Sequence, residues 1–246
     1  MSEIKTWDAR REIVVIQSGA DAVVWGSQHW IHTAQRAIQQ KGRFVVALSG
    51  GSTPKAIYQQ IARVHEKELD WTKVWLFWSD ERAVKPDHPE SNYKMAEDSG
   101  LLKLPIPSAQ VFRMHAEAEL EKNALDYERI IRERVGGGLF DLVMLGVGED
   151  GHTASLFPHE EVLKETKRLV RAVYVESKKS WRMTLTFACI NASAKAVVYA
   201  LGPTKAAIVP LVLGSAVVSS FPASAVGTAE RKALWVMDGA AAQLLK

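Results

Sequence analysis

One cysteine in 246 residues, Cys189, leaves no partner for an internal disulfide and suits a reducing compartment. It lies in an apolar stretch, which assigns it to the core as a buried thiol and not to a site as a nucleophile. Long hydrophobic runs are also missing. None reaches the roughly 20 residues that a helix needs to cross a bilayer. The N-terminal MSEIKTWDARREIVVI has no apolar centre of the kind a secretion signal carries. These absences predict a cytoplasmic protein with no membrane partner. Charge of one sign is lacking too: 31 Lys and Arg face 28 Asp and Glu, a net +3, with no basic block. That balance argues against a nucleic-acid surface and leaves room for local anion sites. There is no H-E-x-x-H and no Cys/His cluster, so no dedicated metal site is expected. Repeats, low-complexity tracts and long polar linkers are absent, which predicts one domain over residues 1–246.

What is present alternates. Strands are expected at 13–17, 44–48, 74–78 and 140–145, and later at 169–175, 182–188, 196–201 and 232–237. Amphipathic or capped helical stretches are expected at 21–40, from Pro54 to about Glu66, at 117–135, and near 204–213 and 238–245. Gly136-Gly137-Gly138 breaks the chain before the 140–145 strand. Strand–helix alternation of this kind predicts an α/β fold: a mostly parallel central sheet with helices on both faces, Rossmann-like in a modified form.

The run Gly146-Val147-Gly148-Glu149-Asp150-Gly151-His152-Thr153-Ala154-Ser155-Leu156-Phe157-Pro158 follows a buried strand. Open α/β sheets build their sites at such strand ends. Asp150 and His152 together can take a proton from water near neutral pH, with the acid or a backbone carbonyl fixing the imidazole tautomer. The bland alternative is an Asp and a His that merely satisfy a turn. Gly146-x-Gly148-x-x-Gly151 also fits the dinucleotide fingerprint literally. Its depth in the chain, the short span to Pro158 and the carboxylate of Asp150 all oppose a pyrophosphate there. His29, His32, His65, His88, His115 and His159 lack such a setting and are expected on the surface or in helices.

Ser49-Gly50-Gly51-Ser52-Thr53-Pro54 joins a strand to a helix. Glycine backbone N–H groups, two hydroxyls and a helix N-terminus make an anion cradle in physical logic. Pro54 fits the first helical position. The alternative is a tight turn in which Ser52 or Thr53 only caps the helix. Ser52-x-x-Lys55 matches a serine acyl-transfer pattern, but its companion motifs are missing. Ser79-Asp80-Glu81-Arg82 leaves the 74–78 strand at the same edge. Asp80 can bind substrate hydroxyls or assist proton transfer and Arg82 can fork onto an oxyanion or phosphate, unless the segment is a solvated loop with an internal ion pair. Ser177-Lys178-Lys179-Ser180-Trp181-Arg182 and Gly202-Pro203-Thr204-Lys205 add cations that could complete an anion pocket. The polar 83–95 connection is a candidate for a loop that closes over a ligand.

The segments ALSGGSTPKAIY, FWSDER with SNY downstream, FDLVMLGVGEDGHTASLFP, RMTLTFACINAS, LGPTK and ALWVMD occur in this order between residues 44 and 238. In that combination the chain resembles the 6-phosphogluconolactonase family, and the wider superfamily it shares with glucosamine-6-phosphate deaminase/isomerase. The resemblance implies hydrolysis of 6-phospho-D-glucono-1,5-lactone to 6-phospho-D-gluconate, in the oxidative branch of the pentose phosphate pathway, without metal or organic cofactor. Carried over by motif, it implies that His152 activates water, that Asp150 orients it, and that Arg82 and Asp80 line the sugar end. It implies that Ser49, Gly50, Gly51, Ser52, Thr53 and Lys205 hold the phosphate, helped by Lys178 and Arg182. The implied partner is a small phosphorylated sugar lactone, bound by a monomer or weak dimer. One departure stands out: the family's proline-rich S-P-K-P-P stretch is here the shorter SKKSWR. The deaminases carry Asn-Glu shortly after the shared Gly-His, whereas this chain has Ser155-Leu156-Phe157. That difference favours the lactonase over the deaminase/isomerase alternative. A silent sugar-phosphate sensor on the same fold is the other alternative, although it would have no need of His152 and Asp150.

Overall fold

The computed structural model describes residues 3–136, 140–215 and 217–245. Among the described residues ten strands form two sheets: β1 (Lys5–Thr6), β2 (Arg11–Ile16), β3 (Phe44–Leu48), β4 (Val74–Trp78), β5 (Asp80–Arg82), β6 (Leu142–Gly146), β7 (Val170–Val175), β8 (Ser180–Leu185), β9 (Ala196–Ala200) and β10 (Ala233–Asp238). The helices are α1 (Gly19–Lys41), α2 (Ser52–Val64), α3 (Asn92–Asp98), α4 (Leu120–Ile131), α5 (Phe187–Ile190), α6 (Ile208–Gly214) and α7 (Gly239–Ala242).

The larger sheet has seven strands in the order β1-β2-β10-β9-β6-β3-β4. All its pairings are parallel except that of β1 with β2. Strands β3, β9 and β10 and nearly all of β6 are buried along their length, as FVVAL, AVVYA, ALWVMD and LVMLG demand. Near-continuous apolar strands of this type are stable only with both faces covered. The expected parallel α/β core is therefore present.

The smaller sheet, β5-β8-β7, is antiparallel and has three strands. Alternation alone did not foresee it. The stretches expected as strands at 169–175 and 182–188 form β7 and β8 in this separate layer, and β8 takes Asp80–Arg82 as its other neighbour. The expected loop at Ser79-Asp80-Glu81-Arg82 is thus a strand edge, held by register with Arg182 opposite Arg82. The expected 117–135 helix is α4, finished by a π-helical turn at Arg132–Gly136; Gly137 and Gly138 lie outside the described residues. The expected helix near 204–213 is split into a 3₁₀ turn, Pro203–Lys205, and α6.

Cys189 is in the core, as its apolar stretch predicts, and one histidine is more internal than expected. Cys189 is fully buried, and burial pushes its thiol up to about 12, which fits an inert core group. His65 was expected at the surface or in a helix. It lies buried just past the end of α2, where its ring meets Ser27 Oγ at 3.2 Å and Glu68 Oε1 at 2.8 Å.

The bend between β3 and α2 is anchored from below. Tyr58, fully buried on α2, reaches back to Ser49 at both ends: its hydroxyl accepts from Ser49 N–H at 2.9 Å and donates to Ser49 C=O at 2.9 Å. Losing that hydroxyl strands a buried donor and a buried acceptor. We expect Tyr58→Phe to lower unfolding free energy by about 1–3 kcal/mol in urea titration. A change within about 0.5 kcal/mol would mean that the loop does not depend on this anchor.

Candidate active site

The parallel sheet reverses its order at β3: the chain steps outward to β4 on one side, then to β6, β9 and β10 on the other. Such switch points leave a crevice at the carboxyl ends of the strands. Here the crevice is a cavity of about 340 Å³. Its walls come from the loop after β3 (Ser49 to Pro54), from β5 (Asp80 and Arg82), from the turn after β6 (Gly146 to Gly148, His152 and Ala154), from β8 (Arg182) and from the segment after β9 (Leu201, Thr204 and Lys205). Segments scattered between residues 49 and 205 therefore meet at one place.

The loop after β3 enters α2 through Gly51 as N-cap, with no side chain bonded across the cap. Ser52 and Thr53 are already helical, so capping does not consume their hydroxyls. Pro54 stands third in the helix and not first, still within the turn whose N–H groups have no intrahelical partner. Gly50 is required by a close approach. A β-carbon there would fall 1.9 Å from Asn92 Oδ1.

The turn after β6 folds Asp150 and His152 back over Gly148. A β-carbon at Gly148 would meet His152 Nδ1 at 2.1 Å and Asp150 Oδ1 at 2.5 Å. Asp150 Oδ1 accepts from the His152 backbone N–H at 3.1 Å and sits 2.5 Å from His152 Nδ1. The imidazole stacks on Phe157, with ring centroids 4.0 Å apart and planes 16° from parallel. Thr153 Oγ1 donates to the Gly146 carbonyl at 2.8 Å and closes the turn. No helix opens after Gly151; the next helical turn is Glu161–Lys164. The pyrophosphate seat that a dinucleotide fingerprint needs is not built.

Partial burial pushes the Asp150 carboxyl up, but the bonds from the His152 ring and backbone outweigh it and hold the group down at about 2. An ionised carboxylate can only accept, so the shared proton belongs to Nδ1. The neutral imidazole then carries its lone pair on Nε2.

Asp80 is buried and fully engaged: Oδ1 accepts from Asn92 Nδ2 at 3.1 Å and Oδ2 from Ser155 Oγ at 2.7 Å. Arg82 donates to the Glu90 carbonyl. The Nε atoms of Arg82 and Arg182 are buried, and no protein acceptor meets them. Burial lowers the pKa of the Arg182 guanidinium and neighbouring Arg82 lowers it further, while Asp80 pulls the other way. Among the described residues the cavity carries three permanent cations, Arg82, Arg182 and Lys205, against one carboxylate, Asp80. That excess suits an anionic ligand.

Every residue expected in the site except Asp150 and Lys178 lines this cavity. Asp150 supports it through His152. Lys178 stands apart, its ammonium 5.9 Å from the centre of the Phe157 ring, in the shortened segment before β8. Arg182 lies opposite Arg82, at the Asp80 end. Three supporting residues escaped the reading of the sequence. Glu81 and Asn92 fasten the Asp80 strand, and Asp238 accepts from Gly202 N–H at 3.0 Å, fixing the turn that carries Lys205. Each is a polar residue inside a quoted segment to which no role was given. Only tertiary pairing shows what it bonds.

Residues 20–235 match the model of a family described as glucosamine-6-phosphate isomerases/6-phosphogluconolactonase. The chain belongs to that family. A relative from Chlamydia muridarum named 6-phosphogluconolactonase is 41% identical over 232 residues, spanning 94% of this chain and 89% of its own. One of the same name from a Nostoc strain is 37% identical over 215 residues, covering 83% and 86% of the two chains. Among solved structures, the 6-phosphogluconolactonase from Trypanosoma cruzi is 26% identical, covers 97% of this chain and 98% of its own, and superposes with a TM-score of 0.85. No helix among the described residues is long and apolar enough to cross a membrane.

Family membership makes the Asp150–His152 pair the natural object of a titration. Because the Asp150 carboxyl is depressed in the folded state, the free energy it contributes is complete above the ordinary carboxylate value near 3.9 and is lost only as pH falls through about 2. A ¹³C NMR titration of Asp150 should give an acid midpoint near 2. In His152→Ala the midpoint should climb back to the ordinary range or above it. A wild-type midpoint above about 4 would contradict the pairing.

Proposed function

We propose that the chain hydrolyses 6-phospho-D-glucono-1,5-lactone to 6-phospho-D-gluconate, with water activated by His152. The observation that carries this reading is the ordered imidazole: Nδ1 held by ionised Asp150, the ring stacked on Phe157, and Nε2 left as the base on a residue lining a cation-rich cavity. The names of the relatives support it.

In the proposed reaction the phosphate settles on the loop from Ser49 to Thr53 and on Lys205, where backbone N–H groups, two hydroxyls and an ammonium converge. This anchors a small polar substrate, and remote binding energy orients the lactone carbonyl towards His152. Nε2 takes a proton from water as the oxygen attacks C1. The carbonyl π pair moves to oxygen, and Arg82 or Arg182 faces the resulting oxyanion. Donors of this kind are commonly worth about 3–4 kcal/mol of barrier. The tetrahedral centre then collapses, the C1–O5 bond breaks, and the imidazolium returns its proton to the departing ring oxygen. Acid and base are the same residue, so no second catalytic carboxylate is required.

Phe157 bears on the deaminase alternative. In this chain the position shortly after Gly-His offers an apolar ring face beneath the imidazole and no acid for the open-chain proton transfers of an amino sugar. Asp80 is buried and occupied by Asn92 and Ser155, which suits it to support of the sugar end better than to exchange of protons.

His152→Ala should reduce enzymatic lactone hydrolysis, measured above the spontaneous background, by about 10²–10⁴-fold. Binding of 6-phosphogluconate, followed by calorimetry, should stay within about threefold of wild type, because the phosphate contacts remain. Turnover like that of wild type would remove His152 from the chemistry.

A further inference from the structure

The two ends of the proposed substrate site lie on different elements, the loop after β3 and strand β5, and one buried amide joins them. Asn92, at the start of α3, is 1% exposed and does not line the cavity. Its Nδ2 donates to the Asp80 backbone carbonyl at 2.8 Å and to Asp80 Oδ1 at 3.1 Å. Its Oδ1 lies against Gly50, so close that a β-carbon there would fall 1.9 Å away. One side chain thus touches the sugar-end acid and the second residue of the anion loop.

Asn92 is itself seated by Glu81, a carboxylate 3% exposed. Oε1 of Glu81 accepts from the backbone N–H of Arg82 at 2.8 Å and of Asn92 at 2.8 Å. Oε2 accepts from Ser91 Oγ at 3.0 Å and from the Tyr93 N–H at 2.9 Å. Burial raises the pKa of this carboxyl while the three backbone N–H groups pull it down. Three of its four hydrogen bonds, from Ser91, Asn92 and Tyr93, tie β5 to the start of α3, and residue 90 of the same segment receives the Arg82 guanidinium. A polar network this complete fixes geometry, because every alternative leaves a buried group unpaired.

We propose that Asn92, seated by Glu81, is a positioning residue that locks the phosphate loop at Gly50 to Asp80 and so sets the distance between phosphate and lactone carbonyl. This deepens the hydrolase reading and rests on it. Asn92 touches no substrate. It acts through Asp80 and Gly50. The anchored end of the 83–95 connection accordingly serves as a brace.

The test compares a ligand that spans both ends, 6-phosphogluconate, with one that reports the phosphate end alone, inorganic phosphate. In Asn92→Ala we expect kcat on the lactone to fall about 10²-fold, the cost typical of a displacement near 1 Å. Affinity for 6-phosphogluconate should fall about tenfold, while affinity for inorganic phosphate changes less than about threefold. Glu81→Gln, which keeps the shape but replaces one acceptor with a donor, should reproduce the same split more mildly. Gly50→Ala should cost about tenfold less activity in the Asn92→Ala background than in wild type, because the clash is gone. All measurements are made below the onset of unfolding. The inference is overturned if Asn92→Ala lowers only the melting temperature, if both ligands weaken equally, or if Gly50→Ala costs the same in both backgrounds. Should the wild-type protein hydrolyse no lactone, the hydrolase reading falls, yet the contrast between the two ligands still decides whether Asn92 couples the ends.

Discussion

The 2.5 Å contact between Asp150 and His152 Nδ1 is the interaction on which the account of this site depends, and it exists because residue 148 has no side chain. Any β-carbon there would occupy the space into which both side chains fold. The glycines of this turn therefore do steric work for an acid–imidazole pair; they do not open a backbone path for pyrophosphate. The pair also defines a direction. Once Asp150 is ionised and accepting, Nδ1 must donate, and Nε2 must be the basic nitrogen. Phe157 holds the ring plane from one face.

The rest of the site surrounds that pair with charge. Arg82, Arg182 and Lys205 come from three elements that meet only because the parallel sheet reverses at β3 and a second, antiparallel layer carries β5 and β8 to its carboxyl edge. Buried guanidinium nitrogens without protein acceptors are costly alone and useful when an anion arrives. The supports beneath them are fully satisfied. Tyr58 holds Ser49, Glu81 holds Asn92, and Asp238 holds Gly202.

Much of this was legible in the chain. The apolar strands and the glycine-bearing turns after β3 and β6 announced a parallel sheet with a site at its edge, since local sequence dictates both. Asp150, His152 and the Ser49–Thr53 loop could be read for the same reason: their chemistry is local. The antiparallel layer could not be read, because β7 and β8 share the composition of core strands and only non-local pairing assigns them to another sheet. The Asp80–Arg82 segment became a strand through its partner and not through propensity. Glu81 and Asn92 stayed hidden because a buried carboxylate and a buried amide look like any polar loop residues until their partners, ten or more positions away, are in view. Lys178, implied by the motif as a helper at the phosphate, does not line the cavity; its ammonium lies over Phe157, the ring that also carries His152 and Arg182.

The central claim is that an ordered imidazole in a cation-rich pocket, backed by an aromatic ring instead of an acid, hydrolyses a phosphorylated lactone. A coupled assay on freshly generated 6-phospho-D-glucono-1,5-lactone, with glucosamine 6-phosphate as the parallel substrate, tests it most directly. The account predicts lactone hydrolysis well above the spontaneous rate and no ammonia release from the amino sugar. Ammonia release, or a lactone rate no faster than the uncatalysed one, would contradict it.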